Sequence, residues 1–210
     1  MNTIAPRPEA IIFDIGNVLL RWQPEEHYDR WIGEERRRAM FDAVDLHFMN
    51  ELVDRGGDFR DIVYDTAEKY PEFRTEIRWW HDRWLDLASP VIDLSVATMR
   101  ALKAHGISVF VLSNIGRGSF AITRDAHAFF DEFDRLYISG HMGVTKPSPD
   151  IYAMVEADCG ISPKRLLFAD DRIDNINTAS ARGWQTHHFT DPRHWADDLI
   201  ARGLIKETDL

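Results

Sequence analysis

Cys159 is the one cysteine in the chain. No disulfide can close within it, which suits a reducing compartment. No apolar run approaches the roughly 18 residues that a membrane-spanning helix needs. Met1–Glu9 carries proline and charge where a signal peptide would carry an apolar stretch, so no leader is expected there. Basic residues are also scarce: 25 Lys and Arg stand against 35 Asp and Glu, a formal net charge of −10. Binding to a phosphate backbone needs a Lys/Arg footprint, so nucleic acid is not an expected partner. Internal repeats and low-complexity segments are absent as well. These absences leave a cytoplasmic globular protein, monomer or homodimer, with a small molecule as its partner.

What is present is enough apolar material for a core. Apolar residues make up 44% of 210, which allows one large domain or a core with a small insert. Ala10–Phe13 is a short apolar run ending at Asp14 and Gly16, the pattern of a buried strand. From Trp22 to Ala88 helical spacing takes over. Arg36–Val44 reads as an amphipathic helix whose arginines face solvent beside Glu34 and Glu35. Asp58 is placed to cap a helix reaching about Tyr70, and Pro71 to open another, Glu72–Leu87. The tryptophans at 79, 80 and 84 recur at helical spacing and are expected in a core. Asp54-Arg55-Gly56-Gly57-Asp58 reads as a helix–helix connection.

Beyond Pro90 strands and helices alternate. Helices are expected at Val91–His105, Ser119–Phe130, Pro149–Asp158, Asn175–Arg182 and His194–Ala201. Strands are expected at Ile107–Leu112, Leu136–Ile138, Leu166–Ala169 and Trp184–Phe189. This alternation implies an α/β fold, a Rossmann-like parallel sheet flanked by helices with an inserted helical cap. The core is assigned to 1–20 and 90–210, and the cap to 21–89. His187-His188, a pair within one strand, points to opposite faces and is read as structural.

In such sheets ligands sit beyond the carboxyl ends of the strands. The first strand ends in Asp14-Ile15-Gly16-Asn17, the second in Ser113-Asn114, and the one at Leu166 in Asp170-Asp171. Each has a plain explanation alone, as a turn residue, a loop polar or a helix cap. Together they form a hard-oxygen site of the kind Mg²⁺ prefers. Lys146, in Thr145-Lys146-Pro147, adds a positive charge. A carboxylate with a metal, a lysine and neutral donors around it is what phosphoryl transfer requires.

The same segments resemble, in order, the four motifs of the haloacid dehalogenase superfamily. They are Phe13-Asp14-Ile15-Gly16-Asn17-Val18-Leu19, Val111-Leu112-Ser113-Asn114, Thr145-Lys146-Pro147, and Phe168-Ala169-Asp170-Asp171-Arg172-Ile173-Asp174-Asn175. The resemblance extends over nearly the whole chain and places the helical insert where that superfamily carries its cap. It implies a hydrolase with Asp14 as nucleophile, forming an aspartyl-phosphate. Ser113 and Asn114 would bind the phosphoryl group, and Lys146 would balance charge on it and on Asp14. Asp14, Asp171 and the Gly16 carbonyl would ligate Mg²⁺. Asp170 would support that site, with Asn175, or alternatively Asp174, behind it.

One position departs from the pattern. Most phosphatases of the superfamily carry a second aspartate two residues after the nucleophile, where this chain has Gly16. A general acid is worth roughly 10²–10⁴ in rate. Three accounts compete: a substrate with an easily lost leaving group; an acid borrowed from the cap, with His47, Asp54 and His81 as candidates; or a catalytically weak binding module. Asp14-Ile15-Gly16-Asn17-Val18 resembles the subgroup containing α-D-glucose-1-phosphate phosphatase, related to the N-terminal phosphatase domain of epoxide hydrolase. That favours a sugar 1-phosphate, whose anomeric oxygen leaves readily. A 2-haloacid dehalogenase also dispenses with the acid, but that branch replaces the acids found here at 170 and 171 with neutral residues.

Overall fold

A computed structural model describes residues 6–210; the opening of the Met1–Glu9 stretch, where no leader is expected, lies partly outside the described residues. Ala10–Phe13 forms β1 with every side chain buried. A strand without a polar face must be covered on both sides, and β1 occupies the centre of the sheet. Around it stand β2 (Ser108–Ser113), β3 (Arg135–Ile138), β4 (Leu166–Asp170) and β5 (Gln185–His188), all parallel, in the order β3-β2-β1-β4-β5. The two faces follow the period of two. Ile11, Phe13, Val109, Val111, Leu167 and Ala169 enter one apolar cluster, whereas Ala10, Ile12, Phe110, Leu112, Leu166 and Phe168 enter the other.

Between β1 and β2 the described chain is helical: α1 (Pro24–Ile32), α2 (Glu34–Ala43), α3 (Leu46–Asp54), α4 (Phe59–Lys69), α5 (Arg74–Asp82), α6 (Trp84–Leu87) and α7 (Asp93–Ala104). After β2 come α8 (Arg117–Ala126), then β3, α9 (Ser139–Met142), α10 (Pro149–Cys159), β4, α11 (Ile173–Ala181), β5 and α12 (Pro192–Ala201). Met99 and Leu102 of α7 join Trp195 and Leu199 of α12 in the first cluster. Ile151, Tyr152 and Val155 of α10 join Ile176 and Ala179 of α11 in the second. The sheet is therefore covered on both faces, as the alternation of elements predicts.

The first cluster runs without interruption from the sheet into the helical segment, taking in Tyr28, Met40, Met49, Val63, Ile77 and Trp80. The tryptophans behave as expected at two positions: Trp80 and Trp84 are buried, both packed against Trp22 with ring centroids 5.6 and 5.0 Å away. Asp58 caps α4 by accepting from the Asp61 amide at 2.9 Å.

Two expectations are corrected. Glu72–Leu87 is not one helix: a 3₁₀ turn at Pro71–Phe73 precedes α5, and Arg83 at φ −120° breaks α5 from α6. Tertiary contacts outweigh helical spacing there. The Arg83 guanidinium lies 3.6 Å from the centre of the Trp31 ring, and the Trp84 indole donates to Thr123 Oγ1 at 2.8 Å. Nor are the arginines of α2 simply solvated. Arg37 makes a two-pronged pair with Asp29, and Arg36 pairs with Glu76 at 2.5 Å. Among the described residues no helix is long and apolar enough to cross a membrane.

Candidate active site

Strand order determines which residues meet. The chain runs from β1 to β2 and β3 on one side and then crosses to β4 on the other, so the carboxyl end of β1 is the switch point where a parallel sheet opens a crevice. Phe13 lies opposite both Val111 and Ala169, which sets Asp14 between the ends of β2 and β4. Asp14, Gly16, Ser113, Asn114, Lys146, Asp171 and Asn175 all line one cavity of about 560 Å³.

Asp14 is buried, with Oδ1 accepting from the Ile15 amide at 2.8 Å and facing Lys146 Nζ at 2.9 Å. Burial pushes its carboxyl up to about 7; Lys146 opposes the rise, Asp170 and Asp171 add to it, and a hydrogen bond from Ser113 lowers it. Lys146 is buried too, and its Nζ also donates to Asp170 Oδ2 at 2.6 Å and to the Leu112 carbonyl at 2.9 Å. Burial works against its charge, but Asp14 and Asp170 outweigh it and hold the ammonium above its ordinary pKa. Removing one partner from such a buried network costs about 3–5 kcal/mol.

Asn114 positions this lysine. Its Nδ2 donates to the Lys146 carbonyl and its Oδ1 accepts from the Lys146 amide, both at 2.8 Å. That reciprocal pair fastens the end of β2 to the Thr145–Pro147 loop.

The acids at the end of β4 differ in situation. Asp170 is fully buried and already occupied by Lys146, the Arg172 amide and Asn175 Nδ2 at 2.9 and 3.0 Å. Asp171 lines the cavity, and its carboxyl is raised by burial, lowered by Asn17 and raised again by Asp170. Of the two alternatives in the fourth motif, Asn175 is buried against Asp170 and Asp174 is exposed. Oxygens of Asp14, Asp170 and Asp171 lie within 4.8 Å of one another, a group able to hold a metal ion. Carboxylates are hard ligands, and negative charge gathered out of water fits a hard divalent cation.

Two neighbours carry no site role in the sequence reading. Asn17 adopts φ 54°, a left-handed turn that asparagine tolerates better than most residues. From it Nδ2 donates to Asp171 Oδ2 at 3.0 Å and Oδ1 accepts from the Trp22 amide at 3.0 Å. An asparagine just after a glycine at a strand end was the available signal. His188, exposed as expected for one of a strand pair, meets the Asp171 carbonyl at 2.9 Å, while His187 is buried against Asp198. The three candidate acids of the helical segment separate cleanly. His47 lines the cavity but is exposed and faces Glu25. His81 pairs with Asp82 and rests on Phe59, away from the cavity lining. Asp54 is buried and lines the cavity.

A parallel α/β sheet with an acid-rich crevice at its switch point is a ligand-binding arrangement, and comparison identifies the family. Residues 8–183 match the model of the haloacid dehalogenase-like hydrolases, and the chain belongs to that family. It is 32% identical over 184 residues to a sesquiterpene phosphatase of Aspergillus oryzae, covering 87% of this chain and 90% of that protein. In fold it is similar to a predicted HAD-like family hydrolase from Porphyromonas gingivalis (TM-score 0.73, 22% identity, 93% and 98% of the two chains). It is also similar to a HAD family enzyme from Bacteroides thetaiotaomicron, solved with magnesium and inorganic phosphate (TM-score 0.65, 20% identity, 90% and 98%).

Proposed function

We propose that this chain is a Mg²⁺-dependent phosphatase that hydrolyses a small phosphorylated metabolite through an aspartyl-phosphate on Asp14. The observation that carries the reading is the buried Asp14–Lys146–Asp170 network, whose Asp14 and Lys146 line a cavity together with Asp171. The phosphatase relative and the fold neighbour that holds magnesium and phosphate support it.

Asp14 attacks phosphorus in line with the leaving oxygen. Ser113 and Asn114 receive the phosphoryl oxygens at the end of β2, and Lys146 offsets charge on Asp14 and on the transferring group. Asp14, Asp171 and the Gly16 carbonyl would hold the metal, with Asp170 and Asn175 keeping Lys146 and the end of β4 in place. Bound there, the ion supplies neutralisation of the phosphoryl charge. Residues 21–89 act as a cap over a core of 1–20 and 90–210, excluding water and selecting the substrate. A sugar 1-phosphate suits the cavity: Arg21 lines it and can donate to hydroxyls, and Trp22 offers an aromatic face. Acids at 170 and 171 favour phosphate over halide chemistry, which needs no cation.

The test is release of inorganic phosphate from sugar 1-phosphates, sugar 6-phosphates, glycerol phosphate and p-nitrophenyl phosphate, with and without Mg²⁺. Metal-dependent release is expected, fastest from sugar 1-phosphates or the aryl ester. Asp14→Asn, nearly isosteric, should cut it by about 10³-fold or more with the fold intact. Normal turnover in Asp14→Asn would exclude the mechanism, and faster turnover of glycerol phosphate than of sugar 1-phosphates would exclude the substrate class.

A further inference from the structure

We infer that Asp54, reaching the cavity from the last turn of α3, is the proton donor to the leaving group that Gly16 does not supply. The inference rests on the phosphatase reading and adds a catalytic residue to it.

Its first support is placement. Asp54 ends α3 and lines the same cavity as Asp14, and only 8% of it is exposed. The other acids that α3 and its cap bring to this wall are engaged elsewhere: Asp45 caps α3 through the Phe48 amide, and Glu51 pairs with Arg55 at 2.5 Å.

The second is orientation. The indole of buried Trp80 donates to Asn50 Oδ1 at 2.9 Å, which fixes the amide so that Asn50 Nδ2 donates to Asp54 Oδ2 at 3.0 Å. With the Gly116 amide also donating to it, this bond holds the Asp54 carboxyl in one orientation at the cavity wall.

The third is rigidity. Ser139 Oγ donates to the Asp54 carbonyl at 2.7 Å and accepts from the Ile115 amide at 3.0 Å, tying the end of α3 to the loop after β2. Backbones here approach so closely that a Cβ on Gly116 would stand 2.9 Å from the Val53 carbonyl oxygen. This acid therefore belongs to a fixed wall. Burial, with the Asp14 charge adding to it, pushes its carboxyl up to about 7, so it retains a proton to give near neutral pH.

The step balances. As Asp14 Oδ bonds to phosphorus and the ester P–O bond breaks, the Asp54 proton passes to the departing oxygen, which leaves as an alcohol. The Asp54 carboxylate then takes a proton from water, whose oxygen bonds to phosphorus as the aspartyl P–O bond breaks. Phosphate leaves, and both aspartates return to their starting states.

Leaving-group dependence tests this. In Asp54→Asn, kcat/KM for glycerol phosphate should fall about 10²–10⁴-fold, because an alkoxide needs the proton. For p-nitrophenyl phosphate, whose phenolate leaves unaided, it should fall less than about tenfold, and Asp54→Glu should recover part of the alkyl activity. Retained aryl activity also reports that the variant is folded. Equal losses on both esters, or no loss on the alkyl ester, would overturn the inference and leave the phosphatase reading standing. A wild-type protein inactive on every ester would remove that reading, and the inference with it.

Discussion

A carboxyl taken out of water must either give up its charge or weaken the fold, and Asp54 illustrates that choice. Its pKa of about 7 compares with an ordinary 3.8, chiefly because of burial, then because of Asp14, with the Gly116 amide pulling the other way. A carboxyl whose pKa rises on folding binds its proton more tightly folded than unfolded. Its penalty is absent below about pH 4, grows as the unfolded chain ionises, and is complete above about pH 7. At about 1.4 kcal/mol per unit the full penalty is on the order of 4 kcal/mol. Asp54→Asn should therefore melt several degrees higher than the wild type at pH 8, with the difference vanishing near pH 4. Thermal unfolding across that range measures it, and parallel curves would show that the carboxyl is not held as described. A residue that lowers stability where it is charged is the kind kept for chemistry.

Between elements, the packing of α9 on the loop after β2, which also carries Gly116 against Val53 of α3, depends on small residues. A Cβ on Gly140 would lie 2.6 Å from the Arg117 amide nitrogen and 2.9 Å from the Gly116 carbonyl carbon, backbone atoms with no room to yield. Gly140→Ala is expected to cost about 1–3 kcal/mol, read as a lower midpoint in denaturant with an unchanged slope. An unaltered midpoint would mean that the loops part freely. Nothing in the sequence announces this join, because Gly116, Gly140 and Asp54 are brought together only by folding. The strands were legible for the opposite reason: Ala10–Phe13 and Leu166–Ala169 are apolar at every position and bounded by polar residues. Asp14 and Asp170-Asp171 were legible from those strands' ends, and Ser113-Asn114 from the end of the strand at Ile107–Leu112. The break at Arg83 was hidden, since its causes, Trp31 and Thr123, lie far away in sequence. Asn17 was visible in its motif, but its contact with Asp171 spans 154 positions.

Taken whole, the molecule concentrates three acids at one point of a chain already carrying a net charge of −10. An ion that binds only the folded state stabilises it by RT ln(1 + [L]/Kd), about 2.7 kcal/mol at a hundred times Kd. Millimolar Mg²⁺ should raise the melting temperature of the wild type and do so far less in Asp171→Ala. A melting temperature indifferent to Mg²⁺ would argue against a metal at this site. The ion would not be the first cation there. Lys146 Nζ has three hydrogens and three acceptors, the Leu112 carbonyl, Asp170 and Asp14, and so stands as a counterion that cannot diffuse away. The crevice is thus part-neutralised from the moment the chain folds. On the proposed reading, protein folded without magnesium would sit idle yet intact, and adding the ion would restore turnover without refolding.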